Sequence, residues 1–86
     1  MIPNDHLMIW TEVYTGIPGR PRTKCIDYGW CAFPKRTSER YALTLATEIL
    51  RKKYPANEKH LPLIFVYPID RTRGFKASDR ILGIFA

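Results

Sequence analysis

Two short stretches of this chain have the residue types to grip a polyanion. Residues 16–24 place Arg20, Arg22 and Lys24 among Gly16, Pro18, Gly19 and Pro21. Residues 70–76 place Arg71, Arg73, Phe75 and Lys76 around Gly74. A guanidinium fork makes paired hydrogen bonds to phosphate, glycine permits close backbone approach, and an exposed phenylalanine can stack on a base. The expected roles are therefore phosphate contacts from Arg20, Arg22, Lys24, Arg71, Arg73 and Lys76, with stacking from Phe75. A further stripe, Arg40, Thr44, Thr47 and Arg51, falls on the polar side of a helical pattern and offers donors of the same kind. The overall charge agrees: 14 Lys+Arg against 8 Asp+Glu leave +6, which draws anionic partners.

A second reading comes from the aromatic residues. Trp10, Tyr28 and Trp30 are large side chains on strand-like segments. Such residues anchor protein interfaces, with surrounding charges steering the encounter. The alternative function is then a protein-interaction module, a small inhibitor or adaptor docking on an acidic partner through an aromatic sheet face.

Catalytic chemistry finds little to work with. Cys25 and Cys31 match no zinc spacing, and in one extended strand they would stand ~20 Å apart, so buried free thiols are expected. His6 beside Asp5, and His60 near Glu58, read as exposed terminal or loop pairs. Ser38 and Ser78 lie in no nucleophile-elbow context, and no glycine-rich phosphate loop is present. Asp27, Asp70 and Asp79 are scattered, although a hairpin formed by the last two strands would bring Asp70 near Asp79. The expectation is a binding protein without cofactor or metal.

The elements that must position these residues follow from periodicity. Residues 37–54 place Ala42, Leu43, Leu45, Ala46, Ile49, Leu50 and Tyr54 in one apolar arc at 3.6 residues per turn. Thr37 or Ser38 supplies an N-cap, Glu39 suits the first turn, and Arg51, Lys52 and Lys53 suit the last. Pro55 ends the helix at Tyr54. Alternating patterns predict strands over residues 7–14, 23–33, 63–70 and 80–86. Gly29 marks a bulge or a close backbone approach. Residues 63–70 are apolar on both faces and are expected to be central in the sheet.

The fold class is α+β: one domain over residues 1–86, in ββαββ order. A mostly antiparallel four-stranded sheet carries one amphipathic helix on one face. One helix covers only one face, so the other is expected to be covered by a second copy or a partner, giving a homodimer. A strongly coiled sheet closing on itself is the alternative.

Ile64-Phe65-Val66-Tyr67 resembles the first signature strand of RNA-recognition-motif domains, and Arg73-Gly74-Phe75 resembles the opening of the second. Lys76 and Ala77 occupy positions that the family fills with a small residue and then an aromatic. No helix separates the two pieces and the element order differs, so no binding residues are carried over.

The composition, 45% hydrophobic and 13% aromatic over 86 residues, argues for a folded chain rather than a disordered one. No run approaches the ~20 apolar residues of a membrane span. The first residues lack a signal-peptide pattern, which leads to the expectation of a cytoplasmic protein with no membrane partner.

Overall fold

The computed structural model describes residues 6–16, 24–68 and 80–85. Four strands and one helix follow in chain order: β1 (His6–Tyr14), β2 (Cys25–Pro34), α1 (Glu39–Lys53), β3 (Leu63–Pro68) and β4 (Ile81–Ile84). The ββαββ order and the single four-stranded sheet are as the periodicity predicts.

The sheet order is β3-β1-β2-β4. β1 pairs antiparallel with β2 and with β3, whereas β4 runs parallel to β2. The sheet is therefore mixed, which corrects the mostly antiparallel expectation. β3 and β4 occupy opposite edges, so they form no hairpin, and the expected centrality of β3 fails. The reason is that alternation reports which faces are apolar, not how many neighbours a strand has. β1 takes a central place despite Thr11 and Glu12 because their polar groups are satisfied. Thr11 Oγ1 donates to the Gly29 carbonyl at 2.9 Å, and Glu12 accepts from Trp10 Nε1 at 3.0 Å and Tyr14 OH at 3.1 Å. Pro68 stands at the end of an edge strand, where its missing N–H does least harm.

α1 begins at Ser38, whose Oγ accepts from the Tyr41 N–H at 3.2 Å. It ends at Tyr54, whose N–H reaches the Leu50 carbonyl. The helix carries the chain from β2 past β1 to β3, and it packs over β3 and β1. Ala42 and Ala46 are fully buried against Ile9, Cys31 and Phe33, with Leu43, Leu45, Ile49, Val66 and Leu82 around them. Two alanines at this contact let the helix approach the sheet closely.

The opposite face is not laid bare as expected. Met8, Trp10, Trp30 and Ala32 form a second buried cluster. Trp10 and Trp30, paired across β1 and β2, meet edge to face at 5.1 Å between ring centres. Among the described strand residues, Ile26, Tyr28, Tyr67, Ile81 and Ile84 stay exposed.

Gly29 is the position where backbone conformation matters most. Its φ is +151°, and a β-carbon there would stand 2.8 Å from the Arg80 carbonyl oxygen and 2.8 Å from Leu82 Cγ. Glycine thus lets β4 lie against β2. A Gly29→Ala variant should lose about 1–3 kcal/mol through crowding alone. Urea unfolding should show a lower midpoint with an unchanged slope. An unshifted midpoint would mean that the β2–β4 seam does not need this glycine.

Candidate anion-binding site

Asp27 sits on the helix side of β2, in register with Val13 near the loop end of the β1–β2 hairpin. It is buried, and its polar contacts come from its own strand, from the end of α1 and from the residue before β4. Its own strand supplies the Tyr28 N–H to Oδ1 at 2.9 Å. The helix end supplies Tyr54 OH to Oδ2 at 2.6 Å and Lys53 Nζ to Oδ2 at 3.3 Å. The residue before β4 supplies an Arg80 guanidinium nitrogen to Oδ1 at 3.3 Å.

Burial opposes the charge on Asp27, but the bonds from Tyr54, Lys53 and the Tyr28 N–H outweigh it and hold the carboxyl below its ordinary 3.8. The phenol of Tyr54 moves the other way. Burial and its bond to Asp27 push it up to about 12. Burial, and then the Asp27 charge, raise the Cys31 thiol to about 11.

The cations are arranged unlike the anion. The Asp27 side chain is 2% exposed, while those of Lys53 and Arg80 are 57% and 53% exposed. Lys24 is exposed at the hairpin mouth, where its carbonyl accepts from the Thr15 N–H at 2.7 Å. The chain entering β3 also reaches this mouth, through Leu61 N–H to the Gly16 carbonyl at 2.8 Å. Water or a ligand therefore meets ammonium and guanidinium groups at this end, and the carboxylate that orients two of them lies beneath.

Of the residues expected to hold phosphate, Lys24 belongs to this end of the sheet. Arg20, Arg22, Arg71, Arg73, Phe75 and Lys76 lie outside the described residues. The strands on either side of residues 69–79, β3 and β4, stand at opposite edges of the sheet and so form no hairpin with each other. On the helix, Arg40 and Thr44 are exposed, while Arg51 turns back to donate to the Tyr54 carbonyl at 3.3 Å. Thr44 and Thr47 donate their hydroxyl protons to the carbonyls one turn earlier, of Arg40 and Leu43.

Of the expected aromatic anchors, Trp30 is fully buried and Trp10 nearly so; Tyr28 stands 48% exposed, its ring 6.0 Å from that of Trp10. Cys31 is buried as expected, but Cys25 is exposed at the start of β2, its thiol donating to the Asp27 carbonyl at 3.3 Å. No group of three or more His, Cys, Asp or Glu is placed to hold a metal among the described residues. No helix among them is long and apolar enough to cross a membrane.

The Asp27 cluster was the site that scanning for motifs missed. Its signal was present: Asp27 shares strand parity with Cys31, so one face had to bury a carboxylate, and a buried carboxylate requires cationic or hydroxyl partners. Comparisons with protein-family models, with curated proteins and with solved structures find no match for this chain.

The Tyr54–Asp27 bond should contribute about 1.5–3 kcal/mol, as hydrogen bonds to charged groups do. A Tyr54→Phe variant should lose that much at neutral pH in a denaturant titration. The lowered Asp27 value makes its contribution fully present above pH 3.8, the unfolded value, and lost as pH falls through the lower folded value. The stability gap between the native protein and Asp27→Asn should accordingly close on the acid side. The raised Tyr54 value makes its contribution complete below pH 10.0 and lost as pH rises through about 12. A gap that stays constant through acid would show that the charge on Asp27 does not stabilise the fold.

Proposed function

We propose that this is a small non-catalytic binding protein that holds nucleic acid by its phosphates at the hairpin end of the sheet. The observation that carries this reading is the disposition of charge around Asp27. The carboxylate is buried while Lys53 and Arg80, which it orients, stay more than half exposed, with Lys24 exposed at the same end. Orientation lowers the entropy lost when a flexible cation meets a phosphate. Arg20 and Arg22 follow the hairpin mouth in sequence and would extend the contact, with Arg71, Arg73 and Lys76 adding phosphate contacts and Phe75 stacking on a base. The net charge of +6 supplies long-range attraction.

The alternative is an acidic protein partner drawn by the same cations. Tyr28 is the anchor such a partner could reach, since Trp10 and Trp30 are buried.

Fluorescence anisotropy with labelled single- and double-stranded oligonucleotides tests the reading. Affinity should fall steeply with salt, and each lost phosphate contact should reduce the log–log slope by about 0.9 on duplex DNA. Arg20→Ala/Arg22→Ala/Lys24→Ala and Arg71→Ala/Arg73→Ala should each weaken binding and flatten the slope, while leaving the unfolding midpoint in place. Binding confined to low salt and indifferent to both sets would reject the nucleic-acid reading, and loss of a captured acidic partner with Tyr28→Ala would favour the alternative.

A further inference from the structure

Among the described residues, the sheet face opposite α1 carries two exposed aromatic rings, Tyr28 at 48% and Tyr67 at 41%. The Tyr28 ring lies 6.0 Å from that of Trp10, and Tyr67 is the β3 partner of Trp10, so both share its face. Tyr28 is level with Glu12 on β1, while Tyr67 is level with Trp10, one step away on the same face. With β1 between them, the two tyrosines rise from backbone positions roughly 12 Å apart, two strand spacings of ~4.8 Å across and two residues of ~3.4 Å along.

That spacing selects a ligand. An exposed phenol ring is a flat surface on which any base can stack. Roughly 12 Å is well beyond the ~3.4 Å step between stacked bases of one strand. Bases lying on the two rings are therefore not stacked neighbours, and the strand that carries them crosses the face extended. A duplex keeps its bases stacked inside and presents no base face to these rings, whereas an unpaired strand can splay its bases out.

Charge fixes how such a strand is turned. Glu12 stands on β1 between the two tyrosines, partly buried, its oxygens accepting from Trp10 Nε1 and Tyr14 OH. A carboxylate repels phosphate, and its remaining lone pairs accept from the amino group of a base. Bases thus turn toward this face and phosphates away from it. Exposed cations meet the phosphates at the Tyr28 end. The Tyr28 N–H and the Arg80 guanidinium both donate to Asp27 Oδ1, at 2.9 and 3.3 Å, which holds the guanidinium beside the Tyr28 backbone. Lys24 is exposed just ahead of the same strand.

We propose, resting on the phosphate-binding reading above, that this face takes single-stranded nucleic acid, with bases stacked on Tyr28 and Tyr67 and the backbone held beside Tyr28 by Lys24 and Arg80. Anisotropy titrations of a labelled single strand and of its duplex, each over a salt series, test the assignment. The single strand should bind more tightly than the duplex. Tyr28→Ala and Tyr67→Ala should each weaken single-strand binding about 5- to 150-fold, the range for loss of one base–aromatic stack. The loss should be the same at every salt concentration, because the slope of log affinity against log salt counts phosphates and not stacked bases. Tyr28→Phe, which keeps the ring, should recover most of the affinity. Tyr41→Ala, which removes an exposed ring from α1 on the other side of the sheet, should bind as the native chain does. Circular dichroism checks that each variant is folded, and Tyr67→Ala carries the test alone if Tyr28→Ala unfolds. Native affinity in the folded alanine variants, a salt slope flattened by either, or a duplex bound as tightly as the single strand would overturn base stacking and leave the phosphate-binding reading standing. No binding to any oligonucleotide would overturn both.

Discussion

A carboxylate buried without partners costs several kcal/mol, and Asp27 removes that cost only by fixing where one element ends and another begins. α1 has to stop where Lys53 and Tyr54 reach Oδ2, and β4 has to start where Arg80 reaches Oδ1. The helix register is thereby coupled to the strand register through a single side chain. Tyr54-Pro55 is the sequence device that sets the helix end at the required place. The charged surface of the hairpin end is a by-product of the same constraint, since the cations that satisfy Asp27 keep their outer sides in water.

The β2–β4 seam shows the constraint at work. Arg80 is held twice, by its guanidinium on Asp27 and by its carbonyl, which accepts from the Trp30 N–H at 2.8 Å. Gly29 lies between these two anchors on β2, and only a residue without a side chain leaves room for the Arg80 carbonyl. The short parallel strand that follows is positioned at its start by these contacts and at its finish by the Phe85 N–H on the Ala32 carbonyl at 2.7 Å. Phe85 then covers Phe33, with ring centres 5.5 Å apart, and ties the last described residues to the helix-side core.

Local elements were legible in the sequence and their arrangement was not. The helix face, a cap at Thr37 or Ser38, the stop at Tyr54 and the antiparallel pairing of β1 with β2 each follow from a few neighbouring residues. Strand order depends on pairings between residues far apart in the chain, which alternation does not encode. β3 looked central because both its faces are apolar, and β4 looked like its hairpin partner because the two are adjacent in sequence. The aromatic face looked bare because one helix can cover only one side, yet Trp30 is wholly buried in the single chain. The candidate site was half legible: charge and loop composition pointed to a cationic surface, but Asp27 gained significance only when its partners, 26 and 27 residues away, came into view.

The two thiols of β2 make the strand a reporter of its own breathing. Cys25 is exposed, whereas Cys31 is sealed in the core, level with Gly83 of β4, and its thiol is pushed up to about 11. A thiol reagent reacts only with an accessible sulfur and prefers the thiolate. Cys25 therefore labels at the rate set by the reagent, and Cys31 waits for an opening of the surrounding structure. The ratio of the two rates measures the free energy of that opening, so the native chain carries both the probe and its internal reference for sub-global unfolding.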